Sequence, residues 1–433
     1  MGAGTSQPSS SHDINGNGRT SGKALGNALR CHGWMVSKCV RQWKAAAAIN
    51  SEITIPPPGK GQVRVKLYAA AVNPVDAKRA AFGYQVSSSL FTGGLSRGTG
   101  VASTMLGPET LFPFPYVMGV EGAGVIESVG WDSSKEQQYD FQVGDRVAFL
   151  ADMSQPFGGT FCQYAVVHAD ALGKIPAPTD GNDFIDFVEA STMPCSAGAA
   201  YVALFDKLRV ERGRSIFISG ASGGVGSVAV QLAKYVGLCV LASCSTVNVP
   251  YVSSLGADFV FDYTTNNVVK ECLEHTQSVG VDYVLELADA ALAAKHAEAL
   301  RFGGSICVLP GPMNANDANS GVFFRKQISV SYVCLAGLYG SEVTRKLLRS
   351  VVEESLRLYQ NGAFRLHVET ASIERVRDVM DVVASGHARG KIVLTDFHPT
   401  ESPGVDAAVG SRRRKQVRDA AKLTAPAGDA TAR

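Results

Sequence analysis

Ser215-Ile216-Phe217-Ile218-Ser219-Gly220-Ala221-Ser222-Gly223-Gly224-Val225-Gly226 is an apolar run that breaks into glycine and then becomes helical. Val225, Val228, Leu232 and Val236 recur at helical spacing, Gly237 supplies a stop, and Leu238-Cys239-Val240-Leu241-Ala242 reads as a second buried strand. Strand, glycine turn, helix and strand in that order form the first turn of a dinucleotide-binding βαβ unit. In such a turn Gly223 lets the backbone approach a pyrophosphate and Gly226 lets the helix pack closely on the first strand. The free N–H groups of the helix start then face the anion. Ala221, Ser222, Gly223, Gly224, Val225 and Gly226 are therefore the expected cofactor-binding turn, with Ala221 standing where the usual fingerprint has its first glycine.

The end of the second strand bears on which dinucleotide is bound, because an acid there would hydrogen-bond the ribose 2′-hydroxyl of NAD. Here the chain reads Ser243-Cys244-Ser245-Thr246, with no acid before Asp258. A 2′-phosphate would meet no repulsion, and Ser243 and Ser245 could donate to it, so NADPH is the expected cofactor. No Lys or Arg lies between Cys239 and Asn267, which leaves the phosphate without a cation nearby in sequence.

Composition sets the frame for these motifs. A chain of 433 residues suits two to three domains, and 45% hydrophobic residues suffice for real cores. A net charge of +2 gives no reason to expect nucleic acid or an anionic membrane as the main partner. No apolar run approaches the roughly 18 residues of a membrane span. The nine cysteines lie far apart, several inside predicted strands, as suits reduced thiols in a cytosolic-type compartment. No Cys-x-x-Cys pair and no Cys/His cluster of zinc spacing occurs, so no metal site is expected. The absence of a secretory apolar segment near the start argues against a disulfide framework.

Residues 1–28, rich in Ser, Gly and Asn, read as a disordered extension, and 398–433 as a disordered tail carrying Arg412-Arg413-Arg414-Lys415. From 29 to 180 short alternating strands dominate: Gln62–Leu67, Gly124–Val129, Asp145–Leu150 and Phe161–Val166. Between 181 and 339 strands and helices alternate, with further strands at Phe259–Phe261, Tyr283–Leu287, Ser305–Leu309 and Ile328–Val330. The fold class is therefore α/β, a doubly wound parallel sheet joined to an irregular β-rich domain. Helices around Glu342 to Tyr359 and Ile373 to Ser385 lead to a strand at Lys391–Leu394, so 340–397 is expected to return to the β-rich domain.

In order, the chain carries Asn73-Pro74-Val75-Asp76, Gly119-Val120-Glu121-Gly122-Ala123-Gly124, Val143-Gly144-Asp145-Arg146-Val147, Gly159-Thr160-Phe161-Cys162-Gln163-Tyr164, the turn Gly220 to Gly226, Leu255-Gly256-Ala257-Asp258, and Arg389-Gly390-Lys391-Ile392-Val393-Leu394. Over residues 33 to 397 this resembles the zinc-independent, quinone oxidoreductase-like branch of the medium-chain dehydrogenase/reductase superfamily. The resemblance implies a GroES-like substrate domain, a Rossmann cofactor domain and an active site in the cleft between them. Zinc alcohol dehydrogenases of the same superfamily commonly carry a His before the Glu matched by Glu121; this chain has Val120, which cannot bind metal, and lacks the row of cysteines for a structural zinc. A conjugated acceptor needs no Lewis acid, because its own carbonyl withdraws the charge that hydride brings.

By position, Asn73 is a candidate to donate to an acceptor carbonyl or to place the nicotinamide; an Asn-Pro turn residue is the plainer reading. Tyr84, where related reductases often carry a substrate-facing tyrosine, is a candidate proton donor, or a solvated loop residue. Beyond it, Gln85 to Phe112 forms a Gly/Ser/Thr-rich insertion. Tyr263 matches a position that touches the adenosine phosphate, Lys391 is read either as approaching the cofactor or as a strand-edge lysine in solvent, and His168, His367 and His387 are read as structural. The expected reaction is NADPH-dependent, zinc-free hydride transfer to a quinone or an α,β-unsaturated carbonyl. Alternatives are 2-enoyl thioester reduction and a non-catalytic NADPH-binding scaffold or sensor. The resemblance implies a homodimer, and the expected location is cytoplasmic. Met1-Gly2-Ala3-Gly4-Thr5-Ser6 also fits an N-myristoylation pattern, which would add peripheral membrane contact through an acyl chain; a mitochondrial import sequence competes.

Overall fold

Residues 27–38, 47–80, 114–131, 139–177, 184–314, 316, 321–386 and 388–398 are described by the structure, a computed structural model. Tyr84, the insertion from Gln85 to Phe112, His387, the N-terminal pattern and the basic run at 412–415 lie outside the described residues. The period-two alternation of the first part becomes β1 (Leu29–Val36), β2 (Ala47–Ile55), β3 (Gln62–Ala71), β4 (Tyr116–Val117), β5 (Glu121–Val129), β6 (Arg146–Leu150), β7 (Tyr164–His168) and β8 (Leu172–Lys174). β3 is buried in runs at Val63–Val65 and Ala69–Ala71, and β5 over Glu121–Gly124, so these strands are covered on both faces where they approach the site.

After residue 214 the chain alternates between strands and helices. Its strands are β9 (Ser215–Ile218), β10 (Cys239–Cys244), β11 (Phe259–Asp262), β12 (Val281–Glu286), β13 (Leu300–Val308), β14 (Ser329–Tyr332), β15 (Val368–Ser372) and β16 (Lys391–Thr395). Strands β9 to β14 make one six-stranded sheet in the order β11-β10-β9-β12-β13-β14, and every pair is parallel. The order turns back on itself at β9, and in such sheets a dinucleotide lies in the crevice at that reversal. Helix Gly224–Val236 buries Gly226, Val228, Val230 and Leu232 against the sheet, and Gly237, at φ +95°, ends it in the left-handed region where glycine carries no Cβ penalty.

Two strands from the end of the chain return to the first part. The second large sheet runs β15-β16-β3-β5-β6-β8, with β7 also paired to β3. Strand β3 lies between β16 and β5, and Ala71 near its end is opposite Val393 on one side and Glu121 on the other. This register brings chemistry from residues 73, 121 and 391 to one point. Among the described residues, the remaining strands form a three-stranded sheet, β2-β1-β4.

Some strand expectations need correction. Strands β1, β2, β4, β8 and β15 lie outside the expected set, and the strand expected at Phe161–Val166 is instead β7, starting at Tyr164. Residues Phe161–Gln163 are drawn away to the three-stranded sheet: Trp34 N–H donates to Phe161 O at 2.8 Å and Phe161 N–H donates to Met118 O at 2.8 Å.

Candidate active site between the two sheets

Gly220, at φ +61°, makes the sharp left-handed step out of β9. Ala221 follows with its N–H donated to Ser243 O at 3.0 Å and its side chain fully buried, so the position usually held by glycine needs none here. A Cβ added at Gly226 would sit 2.3 Å from Gly220 O, which is why the helix lies so close to the strand. At Gly223 the nearest atom to an added Cβ is Gly220 O at 3.6 Å, leaving open space above the residue that caps the helix. The first N–H groups of that helix have no partner within it and carry the positive end of its dipole. This cradle fits a pyrophosphate. Its rim is closed by the far end of the chain: Gly390 N–H donates to Ser222 O at 3.0 Å, and Gly223 and Gly390 form a parallel bridge.

Next to the cradle is a buried polar knot. Lys391 is 3% exposed, and its Nζ donates to Glu121 Oε1 at 2.8 Å, Asn73 Oδ1 at 2.7 Å and Val72 O at 3.0 Å. Asn73 Nδ2 donates to Glu121 Oε1 at 2.9 Å and to Ala71 O at 3.2 Å. The other carboxylate oxygen of Glu121 accepts the N–H of Cys195 at 2.7 Å, and its backbone carbonyl accepts the Thr160 hydroxyl at 2.9 Å. The reading of Lys391 as a strand-edge lysine in solvent is thereby corrected: its ammonium is held in the buried knot, and its stem passes the cradle, where a Cβ on Gly224 would meet Lys391 Cδ at 2.7 Å. Asn73 is likewise corrected as a free donor to substrate, because both amide protons are already engaged within the knot.

Asp76 closes the knot. Its Oδ2 accepts the Asn73 N–H at 2.8 Å, while Oδ1 is buried without a partner. Burial pushes its carboxyl up from 3.8 to about 7; the Asn73 N–H, Lys391 and Arg79 work against that rise, and Glu121 adds to it. Between those two values the folded chain holds a proton that the unfolded chain has lost, so stability falls as pH rises through the window. Asp76→Asn, which mimics the protonated form, is expected to stabilise the protein at about pH 8 and to be near neutral at about pH 4. Urea midpoints at the two pH values check this; equal shifts would mean that the carboxyl titrates normally.

At the adenosine end, Ser243 is buried with its carbonyl held by Ala221, whereas Ser245 lines a cavity of about 270 Å³ with Val247, Asn248, Glu369, Ala388 and Arg389. Ser245 Oγ accepts from Asn248 Nδ2 at 3.2 Å. Arg389 Nε donates to Asn248 Oδ1 at 3.1 Å, and another guanidinium nitrogen to Val247 O at 3.3 Å. The cation that the second strand lacks locally is thus delivered from the segment just before β16. Tyr263, directly after β11, is 57% exposed beside this end of the sheet, its N–H donated to Cys244 O at 3.2 Å. His367, read as structural, has an acid beside it, with Glu369 3.4 Å from its Nε2.

Comparison with known proteins fits this architecture. Residues 59–177 match the alcohol dehydrogenase GroES-like domain family and residues 255–394 the zinc-binding dehydrogenase family. The chain is 30% identical to the 2-methylene-furan-3-one reductase of Solanum lycopersicum over 355 residues, which cover 81% of this chain and 75% of that one. The chain belongs to the quinone oxidoreductase-like branch of the medium-chain dehydrogenase/reductase superfamily. It is an oxidoreductase. It is also 28% identical to the quinone oxidoreductase of Homo sapiens over 262 residues, 60% of this chain and 68% of that one. An NADPH-dependent alkenal/one oxidoreductase, chloroplastic, of Arabidopsis thaliana is 29% identical over 350 residues, 80% and 75% of the two chains. Because one matched family is named for zinc, the fit of a zinc ion is a fair question. Among the described residues no three His, Cys, Asp or Glu side chains gather to hold a metal, and the Glu121 carboxylate is already taken by an ammonium, an amide and a backbone N–H. These residues do not fit zinc.

One buried pair went unread in the sequence. Glu286, at the end of β12, is fully buried; its Oε1 accepts the Ser219 hydroxyl at 2.7 Å and the N–H groups of Ala288 and Asp289, and its Oε2 lies 2.5 Å from His296 Nδ1. The pair fixes the 287–289 loop against Gly220, beside the cradle. Its sequence signal was an acid closing the apolar run Tyr283–Leu285.

Proposed function

We propose that this protein reduces quinones and α,β-unsaturated carbonyls with hydride from NADPH and without zinc. The observation that carries the reading is how Glu121 is used: its carboxylate faces Lys391, Asn73 and Cys195, so nothing at this point can act as a Lewis acid on an alcohol. The acceptor must then activate itself, as a quinone or enone does through its own carbonyl. When bound, the nicotinamide supplies hydride to the electron-poor carbon of the acceptor. The chain binds the pyrophosphate at Gly223 and Gly224, and the knot holds β3, β5 and β16 in place at the cleft. Asn73 serves as a positioning residue within it. Tyr84, outside the described residues, stays the proposed proton donor. We assign substrate binding to 29–180 with 340–397 and cofactor binding to 181–339. A homodimer through edge strand β14, where Val330 and Tyr332 are exposed, is part of the same proposal, as is a cytoplasmic location; among the described residues no helix is long and apolar enough to cross a membrane.

Steady-state turnover across quinones, enones and enoyl thioesters, with and without a chelator, tests this reading. Chelator-sensitive turnover, or activity on alcohols alone, would overturn it. NADPH is favoured because Arg389, Asn248 and Ser245 line one cavity at the end of β10. A preference of about tenfold over NADH, roughly 1.4 kcal/mol, is expected, and Arg389→Ala should bring it close to parity. The ratio of kcat/KM for the two cofactors measures both; an unchanged ratio in the variant would remove Arg389 from phosphate recognition.

A further inference from the structure

Strand β1 runs beside the segment Phe161–Gln163, with Gln163 N–H donating to His32 O at 3.1 Å and Gly33 bridged to Cys162. A side chain at Gly33 has no room, since an added Cβ would lie 2.8 Å from both Cβ and Sγ of Cys162. The two segments press together, and Cys31 Sγ comes to 3.3 Å from Cys162 Sγ. Ile53, Ile55, Val117 and Val166 enclose the pair. Apolar burial of this kind ordinarily leaves a cysteine inert. Here the nearest side-chain polar atom to each sulfur is the other sulfur, not far outside the S–S bond length of about 2.05 Å. Cys31 Sγ also reaches the carbonyl of Ile53, at 3.6 Å.

We propose that Cys31 and Cys162 are a site of reversible disulfide formation, oxidised by hydrogen peroxide and restored by small thiols, which staples the N-terminal strand pair to the segment before β7. Cys162 attacks first. A hydrogen bond from Cys31 holds its thiol low, backbone N–H groups of Tyr164 and Gln163 assist, and burial opposes them. The Cys162 thiolate breaks the peroxide O–O bond and takes one oxygen as a sulfenic acid, releasing the other as water once protonated. Cys31 sulfur then attacks the sulfenic sulfur; the S–S bond forms, the S–O bond breaks, and a second water leaves. Two thiols have given up two electrons and two protons, and one peroxide has become two waters. Strand β2 at the sheet edge is the element whose opening admits the oxidant.

The test uses the full chain carrying Cys239→Ser and Cys334→Ser, which removes two exposed thiols. After peroxide treatment and quenching, the count of free thiols should fall by two and the intact mass by two hydrogens. A non-reducing peptide map should join the Cys31 and Cys162 peptides, and dithiothreitol should separate them. Adding Cys31→Ser should abolish the link, and Cys162→Ala provides the same control if the first variant folds poorly. An unchanged mass, a gain of oxygen alone, or a link involving any other cysteine would overturn the proposal. None of these outcomes bears on cofactor or acceptor use.

Discussion

Lys391→Met is expected to lose about 3–5 kcal/mol of stability, because it strips a fully buried carboxylate of its cation. Glu121 would keep the Asn73 amide and the Cys195 N–H, which are dipoles rather than a counter-charge. The methionine stem would still pass Gly224, so the loss comes from the charge and not from a cavity. Adding Glu121→Gln should recover most of the loss, since removing both members of a buried pair is often near neutral. Denaturant midpoints of the two single variants and the double variant give the coupling directly. A single-variant loss under about 1 kcal/mol, the value of an exposed pair, would show that the knot is not dry.

Gly223→Asp should weaken NADPH binding by at least about a hundredfold, or roughly 2.8 kcal/mol, while leaving the fold intact. Space for the new side chain exists, and Asp is a favoured residue at the helix-capping position that Gly223 holds. The carboxylate would then sit where the pyrophosphate belongs, and like charges about 4 Å apart at an effective dielectric of about 20 repel by about 4 kcal/mol. A fluorescence titration reads the affinity, and a thermal melt shows whether the chain is folded. Unchanged affinity would move the cofactor away from this turn. Gly226→Ala is the contrasting case: its Cβ would collide with Gly220 O at 2.3 Å, so it should damage the fold itself.

What the sequence made legible is what it encodes locally. The change from strand period to helix period around Gly220–Gly226, the stop at Gly237 and the return of the last strand are written in neighbouring residues, and the sheet order bears them out. The knot is not local. Lys391 lies 270 positions from Glu121 and 318 from Asn73, and nothing around Lys391 distinguishes a buried ammonium from an exposed one. Arg389 was invisible as a partner of Ser245 and Asn248 for the same reason: a search confined to residues near β10 cannot see a cation that arrives through a different sheet. Strands β1 and β2 escaped because their pairing depends on each other and on the Phe161–Gln163 segment, which lies far away in the sequence.

Strand β16 also sets a timetable for the newborn chain. It is the neighbour of β3 in the finished sheet, yet some 319 residues of synthesis separate Lys391 from Val72. At about 5–20 residues per second the ribosome takes tens of seconds to cover that distance. For the last 270 residues of that distance Glu121 has been made but its cation has not, and the end of β3 at Ala70 and Ala71, beyond its pairing with β7, is open to any other extended chain. The early half of the protein therefore cannot mature first and wait for the rest. Arrival of β16, rather than completion of the strands before it, marks the moment when that edge is closed, and a chain truncated before Gly390 would leave it open.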